Sequence, residues 1–98
     1  MSDGPSAAVA ASATVLTLQH HAAIRRTIDE LVAAGHVFDA DHVHARLPAA
    51  TSAWLDAHPQ VLGGYMHHVV RQCRVRFVGW TDSHRRPGRP QRVWACTR

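Results

Sequence analysis

The sequence predicts a small α+β domain in which three helices form a core and a C-terminal β-hairpin follows, with a short third strand available. Three observations predict it. Apolar residues recur at helical spacing over residues 18–32 and again over 61–73. Two runs rich in β-branched and aromatic residues, 74–81 and 92–97, flank a turn-forming stretch from Asp82 to Pro90. With 98 residues, 46% of them apolar, the chain can close one compact core but not two.

Residues 1–13 offer no large side chain to bury and are expected to form a disordered arm, leaving 14–98 as the folded domain. Helix 1 is expected to start at Thr14 or Thr17 as N-cap. It presents Leu18, Ile24, Ile28, Leu31 and Val32 on one stripe and ends on Gly35, which tolerates the left-handed conformation of a C-terminal cap. His36-Val37-Phe38 can add a short edge strand. Asp39 then opens helix 2, which buries Ala40, Val43 and Leu47 and stops before Pro48, because the residue preceding a proline avoids helical geometry.

Residues 49–58 are expected to be a loop or a single turn anchored by Trp54 and Leu55, with Trp54 packing against the core. Pro59 suits the first position of helix 3, over 59–73, where Val61, Leu62, Tyr65, Met66, Val69, Val70 and Cys73 make an apolar stripe. In the first hairpin strand Val75 and Phe77 have one parity and Val78 and Trp80 the other. Either both faces are covered or Gly79 marks a bulge.

All eleven basic residues are arginine, whose charge cannot be titrated away near neutrality and whose planar fork suits phosphate. Their distribution says more than the net +4. Residues 1–58 hold three arginines and six acids, and residues 59–98 hold eight arginines and one acid, Asp82, so the halves carry −3 and +7. Such asymmetry points to a polyanion-facing surface. Arg85, Arg86, Arg89 and Arg92 crowd the hairpin with no acid nearby in sequence beyond Asp82, which costs repulsion unless an anion or solvent screens it. A membrane surface is the weaker candidate, because these arginines sit on a hairpin rather than opposite the apolar face of an amphipathic helix. No stretch approaches the roughly 18 apolar residues of a membrane span, and the N-terminus lacks the basic region of a signal peptide. A cytoplasmic protein is expected, with Cys73 and Cys96 as buried thiols.

Nine histidines raise the question of a metal. Neighbouring histidines on a helix point about 100° apart, and His42 and His44 about 200° apart, so neither arrangement converges as an i, i+4 pair does. No metal, no cofactor and no catalytic residue is expected, since no nucleophile, base and oxyanion donor come together in the pattern. The sequence does not read as an enzyme.

The order helix, short strand, helix, helix, strand, Arg-rich loop, strand resembles the winged helix-turn-helix family of DNA-binding proteins over residues 15–98. The run Pro59 to Cys73, followed by Val75-Arg76-Phe77-Val78-Gly79-Trp80-Thr81 and closed by Arg92-Val93-Trp94, looks like the small winged-helix proteins of actinobacteria and their phages. The resemblance implies a recognition helix in the major groove of double-stranded DNA and a hairpin wing on the flanking backbone or minor groove. It implies a nucleoid-associated transcriptional regulator of phage or mobile-element type. On that reading Gln60, Gly63, Gly64, His67, His68, Arg71 and Arg74 of helix 3 face the bases, and His84, Arg85, Arg86, Arg89 and Arg92 form the gripping wing. Glutamine pairs with adenine and arginine with guanine, and glycines let a helix backbone approach closely. The wing segment also resembles the Arg-Gly-Arg-Pro core of AT-hook peptides, with Pro87 in place of the first arginine. A homodimer through helix 1 or the N-terminal arm is expected. The alternative is an interaction module that takes an acidic partner protein.

Overall fold

The computed structural model describes the backbone of residues 4–97 and the side chains of residues 14–97. Four helices and one small antiparallel sheet follow in the order α1 Gly4–Ala33, β1 Phe38–Asp39, α2 Ala40–Arg46, α3 Ala49–Ala57, α4 Pro59–Arg71, β2 Val75–Asp82 and β3 Pro90–Cys96. The α+β class and the C-terminal hairpin are as the periodicities predict. Helix α1 begins upstream of both Thr14 and Thr17, so neither caps it. The arm expected over residues 1–13 falls outside the described side chains, and residues 1–3 outside the description altogether.

Helix α1 ends as its sequence suggests. Gly35 takes φ +74°, with its N–H donating to Val32 O at 3.1 Å and that of His36 to Leu31 O at 3.3 Å. This closes the last turn as a Schellman motif. Asp39 caps α2 by accepting from the His42 N–H at 3.0 Å, and the His42 side chain returns the bond to the Asp39 N–H at 3.2 Å. The same Asp39 pairs with Val93, and Phe38 with Trp94, which places β1 at one edge of a sheet ordered β1-β3-β2.

Residues 49–57 depart from expectation: they form a full helix, α3, rather than a loop. Pro48 precedes it, nothing between Ala49 and Ala57 breaks a helix, and Thr51 and Leu55, one turn apart, are both buried. His58 alone separates α3 from α4, serving as C-cap of one and N-cap of the other. The residues 49–58 expected to be a loop or a single turn are thus a helix and a one-residue turn.

The core is built from Ile24, Ile28 and Leu31 of α1, Phe38, Val43, Leu55, then Leu62, Met66 and Val69 of α4, Val75 and Trp94, all under a tenth exposed. Helix α4 stops at Arg71, two residues short of the predicted end. Cys73 adopts φ +59° and its N–H donates to Val70 O, while that of Arg74 donates to Val69 O. This is a second Schellman ending, with a cysteine where glycine is usual. Cys73 is therefore exposed, and Cys96 is half-buried with Sγ donating to Val32 O, so the expectation of two buried thiols is overturned.

Pairing of β2 with β3 runs from Val75–Cys96 to Asp82–Pro90 and slips by one residue between Phe77 and Gly79. The parity conflict is thus resolved as a bulge, with Val78 the extra residue. It brings Phe77 and Trp80 onto one face, their rings 5.6 Å apart.

Candidate functional site

Helix α4 buries Leu62, Met66 and Val69 and turns Gln60, Gly63, Gly64, His67, His68 and Arg71 to solvent. Six of the seven helix-face residues singled out from sequence therefore share one exposed surface. A Cβ built on Gly63 or Gly64 meets nothing within 4 Å, so these glycines do not exist to let another helix cross. Arg74 lies apart. The left-handed turn at Cys73 carries it back toward α1, where Nη2 meets Asp29 at 2.8 Å.

The hairpin tip is an ordered structure. Arg86-Pro87-Gly88-Arg89 closes with the Arg89 N–H on Arg86 O at 3.0 Å and Gly88 at φ +82°, the signature of a type II turn with proline and glycine in their preferred places. Ser83, buried below the turn, accepts from the Arg86 N–H at 3.1 Å and donates to Asp41 of α2 at 2.9 Å. The other oxygen of Asp41 accepts from the His84 N–H at 2.7 Å. Burial pushes the Asp41 carboxyl up, but the donors from His84, Ser83, Gln91 and Arg85 outweigh it and leave it below its ordinary value.

A second carboxylate holds the tip from α3. Arg85 grips Asp56 with two parallel bonds of 3.0 and 2.6 Å, and Arg86 reaches the same group at 3.4 Å. The Arg85 bond holds the Asp56 carboxyl below its usual range. This corrects the sequence-based picture of an arginine cluster with no acid beyond Asp82. Asp56 is distant in sequence, and only the fold brings it there. Of the hairpin residues singled out, His84, Arg89 and Arg92 are exposed along with Arg85 and Arg86, but the Arg89 side chain alone among the tip arginines has no partner among the described residues. Arg92 lies back on β3, its guanidinium 5.7 Å from the Phe77 ring and 5.4 Å from that of Trp80.

A cleft of about 280 Å³ separates the tip from the helices, with Asp41, His44, Asp56, Pro59, Arg89 and Gln91 on its walls. It joins Pro59 and Leu62, in the first turn of α4, to the arginine-bearing turn, while Gln60, His67, His68 and Arg71 lie outside it. His44 is nearly covered. Its Nδ1 pairs with Ser52 Oγ at 2.7 Å and its Nε2 stands 3.8 Å from Asp56. Desolvation, and then the nearby Arg85 charge, push its imidazole below the usual range. Ser52, His44 and Asp56 follow in the order of a nucleophile, base and orienting acid. The 3.8 Å gap is too long for a hydrogen bond, though, and both Asp56 oxygens are held by arginine, so the trio works as a buttress beneath the hairpin. Among the described residues no group of three or more His, Cys, Asp or Glu side chains is placed to hold a metal ion, and no helix is long and apolar enough to cross a membrane.

Sequence reasoning missed the stacking around Trp54, whose ring lies between those of His20 at 5.1 Å and His58 at 4.5 Å. It also missed the exposed pair Phe77 and Trp80, which is visible only once the bulge resets the strand. No family profile, no curated protein and no solved structure matches this chain.

Proposed function

We propose that the chain is a winged-helix protein that binds double-stranded DNA, with α4 as recognition helix and the hairpin as wing, in the manner of a phage or mobile-element regulator. The observation that carries the reading is the adjacency of α4 and the arginine turn across one cleft. The first turn of α4, the helix whose exposed face bears Gln60, His67, His68 and Arg71, shares that cleft with the hydrogen-bonded turn bearing Arg89, next to Arg85 and Arg86. The sheet order β1-β3-β2 and the near-direct junction of α3 with α4 also suit a winged helix. Gly63 and Gly64 leave open space where a groove wall would approach.

On this reading Arg71 and Gln60 supply base contacts and Arg89 a phosphate contact, with Arg85 and Arg86 exchanging Asp56 for phosphate as the duplex docks. Binding of purified protein to random duplex DNA tests it. Neutralising roughly 4–6 phosphates gives a log–log salt slope of about −4 to −5, and the Arg85, Arg86, Arg89 to Ala triple variant should lose most of that binding. No binding at low salt would move the reading to the alternative, a module for an acidic protein, which the exposed Phe77–Trp80 pair favours.

A further inference from the structure

β2 is the edge strand opposite β1, and the hydrogen-bonding pattern of its free edge follows from its pairing with β3. Directly opposed residues of an antiparallel pair alternate between exchanging backbone hydrogen bonds and pointing those groups away. The Thr97 N–H bonds Arg74 O, and the Ser83 N–H bonds Arg89 O. Counting from these two fixed points, Arg74 and Arg76 on one side of the bulge, and Gly79, Thr81 and Ser83 on the other, face β3. Val75, Phe77, Trp80 and Asp82 then turn their N–H and C=O groups outward, where no strand of the described residues takes them.

These four positions are symmetric about the midpoint between Val78 and Gly79. Phe77 and Trp80 flank it as an exposed aromatic pair, 46% and 61% accessible, beside Val78 at 43%. The bulge creates the symmetry, since without it residues three apart would point their backbone groups to opposite edges. Arg76 stands at the start of the strand and Asp82 at its end, both exposed, and neither side chain has a partner among the described residues.

We propose that two copies of this chain pair antiparallel along β2, joining two three-stranded sheets into one of six strands. Phe77 of each copy lies opposite Trp80 of the other, and the backbone groups of Val75 meet those of Asp82. Four aromatic rings then form one continuous patch in place of two exposed ones, an arrangement that favours both pairs. The four outward-facing backbone positions of each strand match those of the other in this antiparallel register. The two Arg92 side chains stay on their own β3 strands, about 14 Å apart across the joined sheet. Val75, Phe77, Trp80 and Asp82 are not among the residues assigned to duplex contact, and the inference does not rest on DNA binding.

Register-specific crosslinking tests it. In the proposed pairing residue 76 lies opposite residue 81 of the other copy in a non-hydrogen-bonded pair, about 4.5 Å between Cα atoms and within disulfide reach. Two residues 76 are about 16 Å apart. In a full-length Cys73→Ser, Cys96→Ser background, chains carrying Arg76→Cys and chains carrying Thr81→Cys are oxidised separately and mixed. A disulfide-linked dimer in the mixture alone is expected. Its absence from the mixture, or equal crosslinking of either chain alone, would overturn the pairing. Sedimentation of the unmodified protein supplies the second arm. A dimer that becomes a folded monomer on Trp80→Ala supports the proposal, and a wild-type monomer at submillimolar concentration refutes it.

Discussion

Asp56→Asn separates the contribution of the Arg85–Asp56 contact to the fold from the competition with duplex that the proposed function implies. The carboxylate holds Arg85 through bonds of 3.0 and 2.6 Å and Arg86 at 3.4 Å, with the Arg85 and Asp56 side chains each about a third exposed. Solvent screening limits such a pair, and the bidentate geometry places it at the upper end of the surface range, about 1 kcal/mol. For a domain of this size that loss lowers Tm by about 4–8 °C. The Asp41 bonds to Ser83 and His84 remain, so the hairpin stays docked. Removing one negative charge takes the formal net charge from +4 to +5 and releases two arginines. Duplex affinity should therefore rise while stability falls, and the salt slope should steepen by about 1 to 2. Thermal melting by circular dichroism and fluorescence anisotropy with labelled duplex across a salt series read the two effects independently. A folded D56N protein that binds DNA more weakly than wild type would show that Asp56 aims the arginines at the duplex and does not compete with it. An unchanged Tm would show that the contact contributes nothing to the fold.

Three further outcomes are expected. Arg89→Ala should weaken duplex binding and make the salt slope shallower by about 1, with stability changed by less than about 0.5 kcal/mol, because its side chain is exposed and has no partner among the described residues; a large Tm loss would contradict that placement. Cys73→Gly should raise stability by about 0.5–1 kcal/mol, since φ +59° strains a side chain and suits glycine, and unchanged or lower stability in a denaturant melt would count against it. Stability should fall with pH in two stages. Burial and Arg85 depress the folded His44 value below 6.5, so its contribution is full above 6.5 and is lost as pH drops below it. Asp56 and Asp41, depressed below 3.8, contribute fully above that value and lose their contribution as pH falls through their folded values. His44→Asn should flatten the upper stage, and a melt insensitive to pH between about 8 and 5 in the wild type would refute the role of His44.

How far the sequence could be read depended on whether a feature is local. Asp39 and Gly35 act on their own helix ends, so their caps were readable from the residues beside them. The exposed face of α4 followed from the spacing of Leu62, Met66 and Val69. Helix α3 was hidden because residues 49–58 have too few large apolar residues to show a period, and burial of Thr51 and Leu55 against other elements decides its state. The shorter α4 was hidden by Cys73, since nothing in a cysteine announces a left-handed turn. Gly79 drew attention to the right place, but whether it marked a bulge depended on β3, which sequence parity alone does not include.

The charge asymmetry carries two meanings. On sequence alone, the division into −3 and +7 halves points to a surface awaiting an external anion. The fold answers part of that demand internally. Asp29 takes Arg74, Asp56 takes Arg85 and Arg86, and Asp41 binds the backbone of the hairpin tip. The acidic half thus serves as the dock for the basic half, leaving Arg71, Arg76, Arg89 and Arg92 as the arginines of residues 59–97 that are not paired with an acid. A polyanion reaching the hairpin meets Arg89 first and must displace Asp56 to gain Arg85 and Arg86. Competition of this kind discriminates among anions by charge density. A lone carboxylate gains little over Asp56, whereas a duplex that presents successive phosphates to Arg71, Arg89 and the released pair gains several contacts for the loss of one.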